Sequence, residues 1–147
     1  MKPTIRIKKL DPRATIPTYG SEFAAGADLY ALLDGKLTVA PGETVKVPTG
    51  LSLEIPQGYA GLIYARSGLS VKRGLAPANK VGVIDADYRG EILVALYNQS
   101  ATAQTVEPGE RIAQLVIAPV LQVDFAECDD LSDTQRGEGG FGSTGTK

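Results

Sequence analysis

The sequence contains no histidine and only one cysteine, Cys128. The absence of histidine excludes Ser-His and Cys-His nucleophilic machinery, imidazole metal ligands and imidazole proton shuttles. A single thiol forms neither an internal disulfide nor a thiolate zinc site, and it fits a reducing compartment. Any catalysis by this chain must therefore use carboxylates, arginines, hydroxyls and backbone amides, with or without a hard metal ion.

The chain also lacks a long apolar run and an excess of basic residues. No run approaches the roughly 20 apolar residues that span a bilayer, and "MKPTIRIKKL" lacks the apolar centre of a secretory signal. The formal net charge is -2, whereas nucleic-acid-binding chains usually carry a basic excess. These features predict a cytoplasmic protein with no membrane or nucleic-acid partner, and they leave a nuclear or organellar location open. A local anion site remains compatible with this charge.

Helix signals are scarce, and short β-strand signals dominate the chain. Turn residues recur at short intervals, with 17 glycines and 9 prolines among 147 residues. This pattern predicts a single all-β domain, either a sandwich, a barrel or a jelly roll. The predicted strand regions are residues 4–10, 37–56, 58–65, 91–98 and 111–123.

Two turns, one apolar strand and one short helix carry more specific expectations. Within residues 37–56, "PG" and "PTG" are expected to be turns that separate short strands. Residues 91–98, "EILVALYN", are apolar on both faces, which predicts burial on both sides or burial of one face by another subunit. Residues 67–75 are expected to form one or two helical turns, with Ser67 as N-cap and Gly74 as the stop.

The composition changes near residue 124, where a polar, acidic stretch leads into a glycine-rich end. We therefore expect residues 1–124 to form the packed domain and residues 125–147 to form a C-terminal arm. Ordering such an arm costs backbone entropy. The arm is thus expected to be flexible and to become ordered only over a ligand or a partner.

Residues 79–92, "NKVGVIDADYRGEI", place two carboxylates after an apolar run. Strand alternation would put Asp85 and Asp87 on one face, with Tyr88 next to them. The ordinary interpretation is an acidic hairpin turn, because Asp and Gly are common turn residues. Taken alone, the segment favours that interpretation over a functional site.

Two further segments carry charged groups in places where charge needs an explanation. "ARSGLS" (65–70) joins Arg66 and Ser67 to a helix start, which favours an anion, although an ordinary N-cap is the simpler interpretation. "AAGADLYA" (24–31) places Asp28 in an apolar strand. A buried carboxylate is costly unless it binds a metal or pairs with a neighbouring backbone group or arginine.

Gln114 raises a similar question, because it lies in the apolar segment "GERIAQLVI" (109–117). Its amide is equally compatible with a functional site and with satisfying the edge of a sheet.

The end of the chain, "RGEGGFGSTG" (136–145), combines five glycines with an arginine, a phenylalanine and two hydroxyls. A P-loop would require Gly-Lys-[Ser/Thr] followed by a helix, and this segment does not provide it. Its amides and hydroxyls and Arg136 suit oxyanions, and Phe141 suits stacking on a base. The alternative is a disordered glycine-rich tail.

Together these five segments resemble, in order and spacing, the five motifs of the homotrimeric deoxyuridine triphosphatases (dUTPases). The resemblance extends from about residue 22 to residue 145. It implies an all-β jelly roll or distorted barrel in a homotrimer, in which three chains build each active site. It also implies Mg²⁺-dependent hydrolysis of dUTP to dUMP and pyrophosphate. That reaction keeps uracil out of DNA and supplies dUMP for thymidylate synthesis.

The resemblance assigns roles to the residues of the nucleoside site. Asp85 would orient the attacking water and act as general base toward the α-phosphorus. Asn79 and nearby backbone would bind the uracil edge, with Val83 as a further substrate-binding residue, and Tyr88 would pack against the deoxyribose. Asp28 would help to hold the hydrated metal ion through water.

The remaining implied roles concern the phosphate chain and the arm. Phosphate contacts would come from Arg66, Ser67, Gly68 and Gln114. The arm would close over the terminal phosphates and stack Phe141 on the uracil, using Arg136, Gly142, Ser143 and Thr144.

Three other functions are compatible with parts of the pattern. One is a non-catalytic or moonlighting protein on the same scaffold, whose interactions depend on dUTP. Another is a structural β-domain with a disordered tail. The third is deamination, since the dCTP deaminases share the jelly roll. It is disfavoured because that family carries a different sequence in place of "DADYRG" and lacks the aromatic glycine-rich arm.

Overall fold

The structure, a computed structural model, describes residues 2–146. Within that range it forms eleven strands and one short helix. In chain order the elements are β1 (Arg6–Lys9), β2 (Thr18–Tyr19), β3 (Ala27–Tyr30), β4 (Leu37–Val39), β5 (Thr44–Glu54), β6 (Tyr59–Tyr64), α1 (Ser67–Arg73), β7 (Leu75–Pro77), β8 (Gly82–Ile84), β9 (Glu91–Asn98), β10 (Gln104–Val106) and β11 (Arg111–Pro119).

The strands form two larger sheets and one small one, and the pairing is antiparallel throughout. One sheet has the order β1-β5-β9-β7, and the other has the order β2-β3-β11-β6-β8. The small sheet pairs β10 with β4. The order is far from sequential, so the chain crosses repeatedly between sheets, as in a jelly roll. The prediction of a single all-β domain is confirmed.

One cluster of buried side chains joins the two larger sheets. Leu29, Ile63 and Leu115 contribute from one sheet, and Val47 and Leu96 contribute from the other. Burial of a large aliphatic side chain stabilises a fold by about 1.5–3 kcal/mol. This core fixes the sheet edges, from which the loops of the candidate site project.

The expected turn at "PTG" is wrong, because β5 runs through it without a break. The register with β9 shifts between Pro48 and Ser52, so the segment forms an irregularity within a long strand. Gly50 has φ +70°, and a Cβ there would come within 2.6 Å of Leu32 Cδ2. Gly50 therefore provides the positive φ and the lack of a side chain that the irregularity in β5 requires.

Strand β9 is buried on one face only within this chain. Its residues alternate between buried and more exposed positions, and Leu93 is 44% exposed. Burial of both faces by this chain is therefore wrong, because Leu93 is exposed on this face and Glu91, Ala95 and Tyr97 are only partly buried. Burial of that face by another subunit stays a prediction.

Helix α1 forms where it is expected, but its first cap differs from the prediction. Arg66 occupies the N-cap with an extended backbone, and no side chain caps the helix. Ser67 is already the first helical residue, so its assignment as N-cap is wrong. Gly74 ends the helix at φ 68°, and its backbone N–H donates to the Ser70 carbonyl at 3.0 Å, which confirms the predicted stop.

Strand β11 ends at Pro119, and residues 120–146 contain no strand or helix. Most of their side chains are exposed, including the large apolar ones of Leu121, Phe125 and Leu131. The boundary expected at residue 124 falls inside this segment and stays a prediction. Among residues 2–146, no helix is long and apolar enough to span a membrane.

Candidate active site

A first pocket, here called the hairpin pocket, opens beside β9 and the tight turn that joins β7 to β8, two strands of different sheets. Four of the predicted site residues line it, namely Asn79, Val83, Asp85 and Tyr88. Its volume is about 210 Å³, and Ile63, Ile84 and Ile92 supply an apolar base. A flat ring with polar edges fits such a pocket, since the apolar base accepts its faces and polar groups at the rim meet its edges.

The backbone between β7 and β8 forms a tight turn at the pocket. Lys80 adopts φ 65°, its N–H donates to the Pro77 carbonyl at 3.1 Å, and Val81 N–H donates to the Asn79 carbonyl at 2.7 Å. Gly82 leaves room for the amide of Asn79, because a Cβ on Gly82 would lie 3.3 Å from Asn79 Nδ2. The tight turn therefore presents backbone groups and one amide at the pocket rim.

Tyr88 is held by its own turn. Its hydroxyl donates to the Glu91 carbonyl at 2.9 Å, and Gly90 lies against its ring, where a Cβ would overlap the phenol. Fixing the ring in this way makes it a rigid wall of the hairpin pocket.

Asp85 follows directly after β8 and is exposed at the edge of the hairpin pocket. The strand ends at Ile84, so alternation does not extend to Asp85 and Asp87 as expected. Asp87 lies in the following turn and does not line the hairpin pocket, although both carboxylates border a separate, larger depression. Of these two carboxylates, Asp85 is therefore the one placed to act on a molecule in the hairpin pocket.

A second pocket, here called the anion pocket, lies where β3, the start of α1 and β11 meet. Five predicted residues line its volume of about 270 Å³, namely Asp28, Arg66, Ser67, Gly68 and Gln114. Asp28 is 9% exposed, and its Oδ1 accepts from Arg66 Nε at 2.9 Å. This pair agrees with the interpretation of Asp28 as a carboxylate tied to a neighbouring arginine.

Arg111 is a residue of this region that the sequence reasoning missed. Its Nη1 lies 3.4 Å from Asp28 Oδ2, so the carboxylate is held between two guanidinium groups. The available signal was a cation at the start of a strand that carries Gln114. Such a cation is so often a solvated strand end that sequence alone gave no reason to select it.

Gln114 spans the gap between β11 and the segment before α1. Its Nε2 donates to the Ala65 carbonyl at 2.8 Å, next to Arg66. Gly26, directly before the facing strand β3, makes this path available, because a Cβ there would lie 3.0 Å from Gln114 Cβ and would overlap Oε1. The amide is thus positioned by a glycine on one side and a carbonyl on the other.

The described residues fit a metal ion only when a ligand supplies most of its coordination. No group of three or more His, Cys, Asp or Glu side chains within residues 2–146 is arranged to hold a metal. Asp28 offers one carboxylate, already engaged by two arginines. Because each carboxylate oxygen has a second lone pair, Asp28 can still accept from metal-bound water. Mg²⁺ commonly binds through one or two carboxylates, waters and phosphates.

The residues predicted for the arm lie apart from both pockets. Phe141 is fully exposed with φ 49°, and Arg136 Nε donates to the Gly139 carbonyl at 2.8 Å within the arm itself. Gly142, Ser143 and Thr144 follow in an exposed turn and line neither pocket. In this chain the predicted site residues therefore form three separate groups: the hairpin pocket, the anion pocket and the arm.

Comparison with known proteins gives a consistent family. A family model described as dUTPase matches residues 12–145. The deoxyuridine 5′-triphosphate nucleotidohydrolase of Desulfitobacterium hafniense is 51% identical over 146 residues, with 99% of this chain and 97% of that protein covered. The protein of the same name from Paraburkholderia phymatum is 49% identical, with 95% and 96% covered.

Among solved structures, the chain is similar to the dUTPase of Staphylococcus bacteriophage 80alpha with dUPNHPP. The TM-score is 0.90 at 29% identity, and the match covers 99% of this chain and 100% of that chain. Fold, motif order and full-length similarity thus agree. The chain belongs to the dUTPase family.

Proposed function

We propose that this chain hydrolyses dUTP to dUMP and pyrophosphate by attack of water on the α-phosphorus. The observation that carries the proposal is the pairing of a ring-sized pocket, edged by Asp85, with a separate pocket built on Arg66 and Ser67. Family membership supports the same reaction. The product dUMP supplies thymidylate synthesis, and removal of dUTP keeps uracil out of DNA.

The hairpin pocket selects the nucleoside. Asn79 and the bent backbone around Lys80 offer hydrogen bonds to the uracil edge, while cytosine would leave buried polar groups unpaired. A thymine methyl group would clash with the tight base of the pocket. The fixed ring of Tyr88 packs against the deoxyribose, so that a ribose 2′-hydroxyl would meet it. Val83, exposed at the rim, adds an apolar contact.

The anion pocket binds the phosphate chain. Arg66 supplies charge, Ser67 and Gly68 supply groups at the start of α1, and Gln114 supplies its fixed amide. Phosphoryl transfer depends mainly on positioning and charge neutralisation, so these groups can act by binding the phosphates without forming covalent bonds to them. Asp85 then orients a water and takes its proton as general base, since this chain has no histidine for that task.

Mg²⁺ is the cofactor we propose, with Asp28 as the residue that holds it through water. When bound, the ion neutralises phosphate charge and orients the chain of phosphates. Asp28 suits this outer position because it is nearly buried and already fixed by two guanidinium groups.

We further propose a homotrimer with shared active sites, in which the arm of one chain closes over the pockets of others. Three groups of site residues that do not meet within one chain support this arrangement. The exposed apolar side chains of Leu121, Phe125 and Phe141 support it as well, because such residues usually contact a partner. Arg136, Ser143 and Thr144 would then meet the terminal phosphates.

We place the reaction in the cytoplasm, where a free, exposed thiol such as Cys128 is ordinary.

Gly26→Ala tests the role of Gln114 in this scheme. The added methyl forces Gln114 to move, so kcat/KM for dUTP should fall about tenfold through loss of one fixed hydrogen bond. Stability should fall by about 1–3 kcal/mol from overpacking. Gly35→Ala is the matched control, because nothing lies within 4 Å of the Cβ position there. Unchanged kcat/KM in the Gly26→Ala enzyme would contradict the role given to Gln114.

Release of pyrophosphate from dUTP in the presence of Mg²⁺ tests the proposed reaction. We expect stoichiometric formation of dUMP and pyrophosphate. A folded protein that releases none at saturating dUTP would reject the proposal.

A further inference from the structure

Asp28 and Arg66 are the only charged residues among those that line the anion pocket in the described chain. Their atoms lie 2.9 Å apart, so the carboxylate and the guanidinium cancel each other in formal charge. A pocket lined in this way is neutral overall. A neutral pocket is a poor site for a ligand as highly charged as a nucleoside triphosphate.

Arg111 changes that balance. It contacts the same carboxylate at Oδ2, on the other oxygen from Arg66. Two guanidinium groups around one carboxylate leave one net positive charge beside the pocket. Before the proposed Mg²⁺ and the arm are added, Arg111 therefore gives the side chains of this region their net positive charge.

A β-bulge explains how Arg111 reaches this position. In a regular strand, residues three apart face opposite sides, so Arg111 and Gln114 would point away from each other. The register of β11 against β3 shifts between Arg111 and Ala113, so that Arg111 pairs with Tyr30 while Gln114 pairs with Asp28. Since Tyr30 and Asp28 share a face, the shift turns Arg111 to the face of Gln114.

The contacts of Arg111 also leave most of its hydrogen-bonding capacity free for a ligand. Its side chain is 50% exposed, whereas that of Arg66 is 28% exposed. Its bond to Asp28 is 3.4 Å long and uses one of five N–H groups.

We propose that Arg111 is a positioning residue for the phosphate chain, which supplies the net positive charge of the anion pocket while it holds Asp28 opposite Arg66. The inference rests on the proposed function, because it takes a nucleoside triphosphate as the ligand. The contribution of Arg111 to affinity grows with the number of phosphates on that ligand, since each added phosphate brings further negative charge to the same region.

Calorimetric binding of dUMP and of the imido analogue dUpNHpp, at fixed Mg²⁺ and ionic strength, tests this role. Arg111→Gln should weaken dUpNHpp binding by about tenfold or more, as expected for a lost charged interaction. Binding of dUMP should change by less than about threefold, because one phosphate carries less charge. Arg111→Lys keeps the cation, and because Arg111 makes one long hydrogen bond and no bidentate pair with Asp28, it should bind both ligands within about threefold of the wild-type protein.

Arg6→Gln is the matched control, since it removes an exposed arginine from an ion pair with Glu54 on the other sheet. It should leave both affinities unchanged. Equal losses for dUMP and dUpNHpp in Arg111→Gln, or no loss for either, would overturn the proposal. If that variant does not fold, a tenfold loss of dUpNHpp affinity in folded Arg111→Lys overturns it too. Binding needs no turnover, so a failure of dUTP hydrolysis is detected separately.

Discussion

Asp85→Asn is expected to bind dUTP and to lose hydrolysis by several orders of magnitude. Asp85 lies at the edge of the hairpin pocket, directly after β8. Asparagine keeps the shape of the side chain but cannot accept the proton of the attacking water. General-base catalysis contributes up to about ten-thousandfold, and positioning of the water is lost with it. Single-turnover kinetics with dUTP measure the chemical step, and calorimetry with dUpNHpp measures binding.

Asp87→Asn provides the control for this prediction. Asp87 lies two residues further along the same turn and does not line the hairpin pocket. The substitution removes the same charge from the same loop and should leave turnover within about threefold, as for most surface changes away from a site. Near-normal hydrolysis by Asp85→Asn, or an equal loss in both variants, contradicts the role given to Asp85.

Deletion of residues 136–147 should reduce turnover by more than about a hundredfold, the scale of losing a group that binds charge in the transition state. The melting temperature should barely change, because residues 120–146 contribute no strand or helix to the fold. A full-length variant with glycine in place of Arg136, Phe141, Ser143 and Thr144 distinguishes the loss of these side chains from the loss of the whole segment. It should be as inactive as the deletion.

Mixing tests whether the arm acts between chains. Chains that lack residues 136–147 keep Asp85, and Asp85→Asn chains keep the arm. Refolded together, they should recover part of the turnover, since a mixed site draws Asp85 from one chain and the arm from another. Turnover that is normal in the deletion rejects the arm as part of the site, and no recovery after mixing rejects sharing between chains.

The fold class was predictable because period-2 patterning and frequent turn residues report directly on short strands. Local backbone choices were less predictable. "PTG" carries every mark of a turn, yet neighbouring strands extend β5 through it and Gly50 absorbs the bulge. Ser67 is a good N-cap by type, but Arg66 takes that position because it is tied to Asp28 across the sheet. Tertiary contacts, which the local sequence does not contain, decided both cases.

For the candidate site as well, the sequence could predict candidate residues but not their arrangement in space. Motif order selected the candidate residues, and the structure collects nine of them into two pockets, four in the hairpin pocket and five in the anion pocket. Arg111 was missed because its place depends on a register shift, and a one-residue shift reverses the facing of a strand without altering its composition. The separation of the arm from both pockets within one chain was likewise beyond local patterning, since residue patterns do not report where a segment without strand or helix lies.

Release of pyrophosphate from dUTP, dCTP, dTTP and UTP, each with and without Mg²⁺, tests the central claim most directly. We predict rapid release from dUTP with Mg²⁺, a marked decrease when the ion is removed, and poor turnover of the other three nucleotides. Equal rates for all four nucleotides would contradict selection by the hairpin pocket. Tight binding of dUTP with no release at saturating dUTP and Mg²⁺ would contradict the enzyme and favour a dUTP-dependent interaction protein instead.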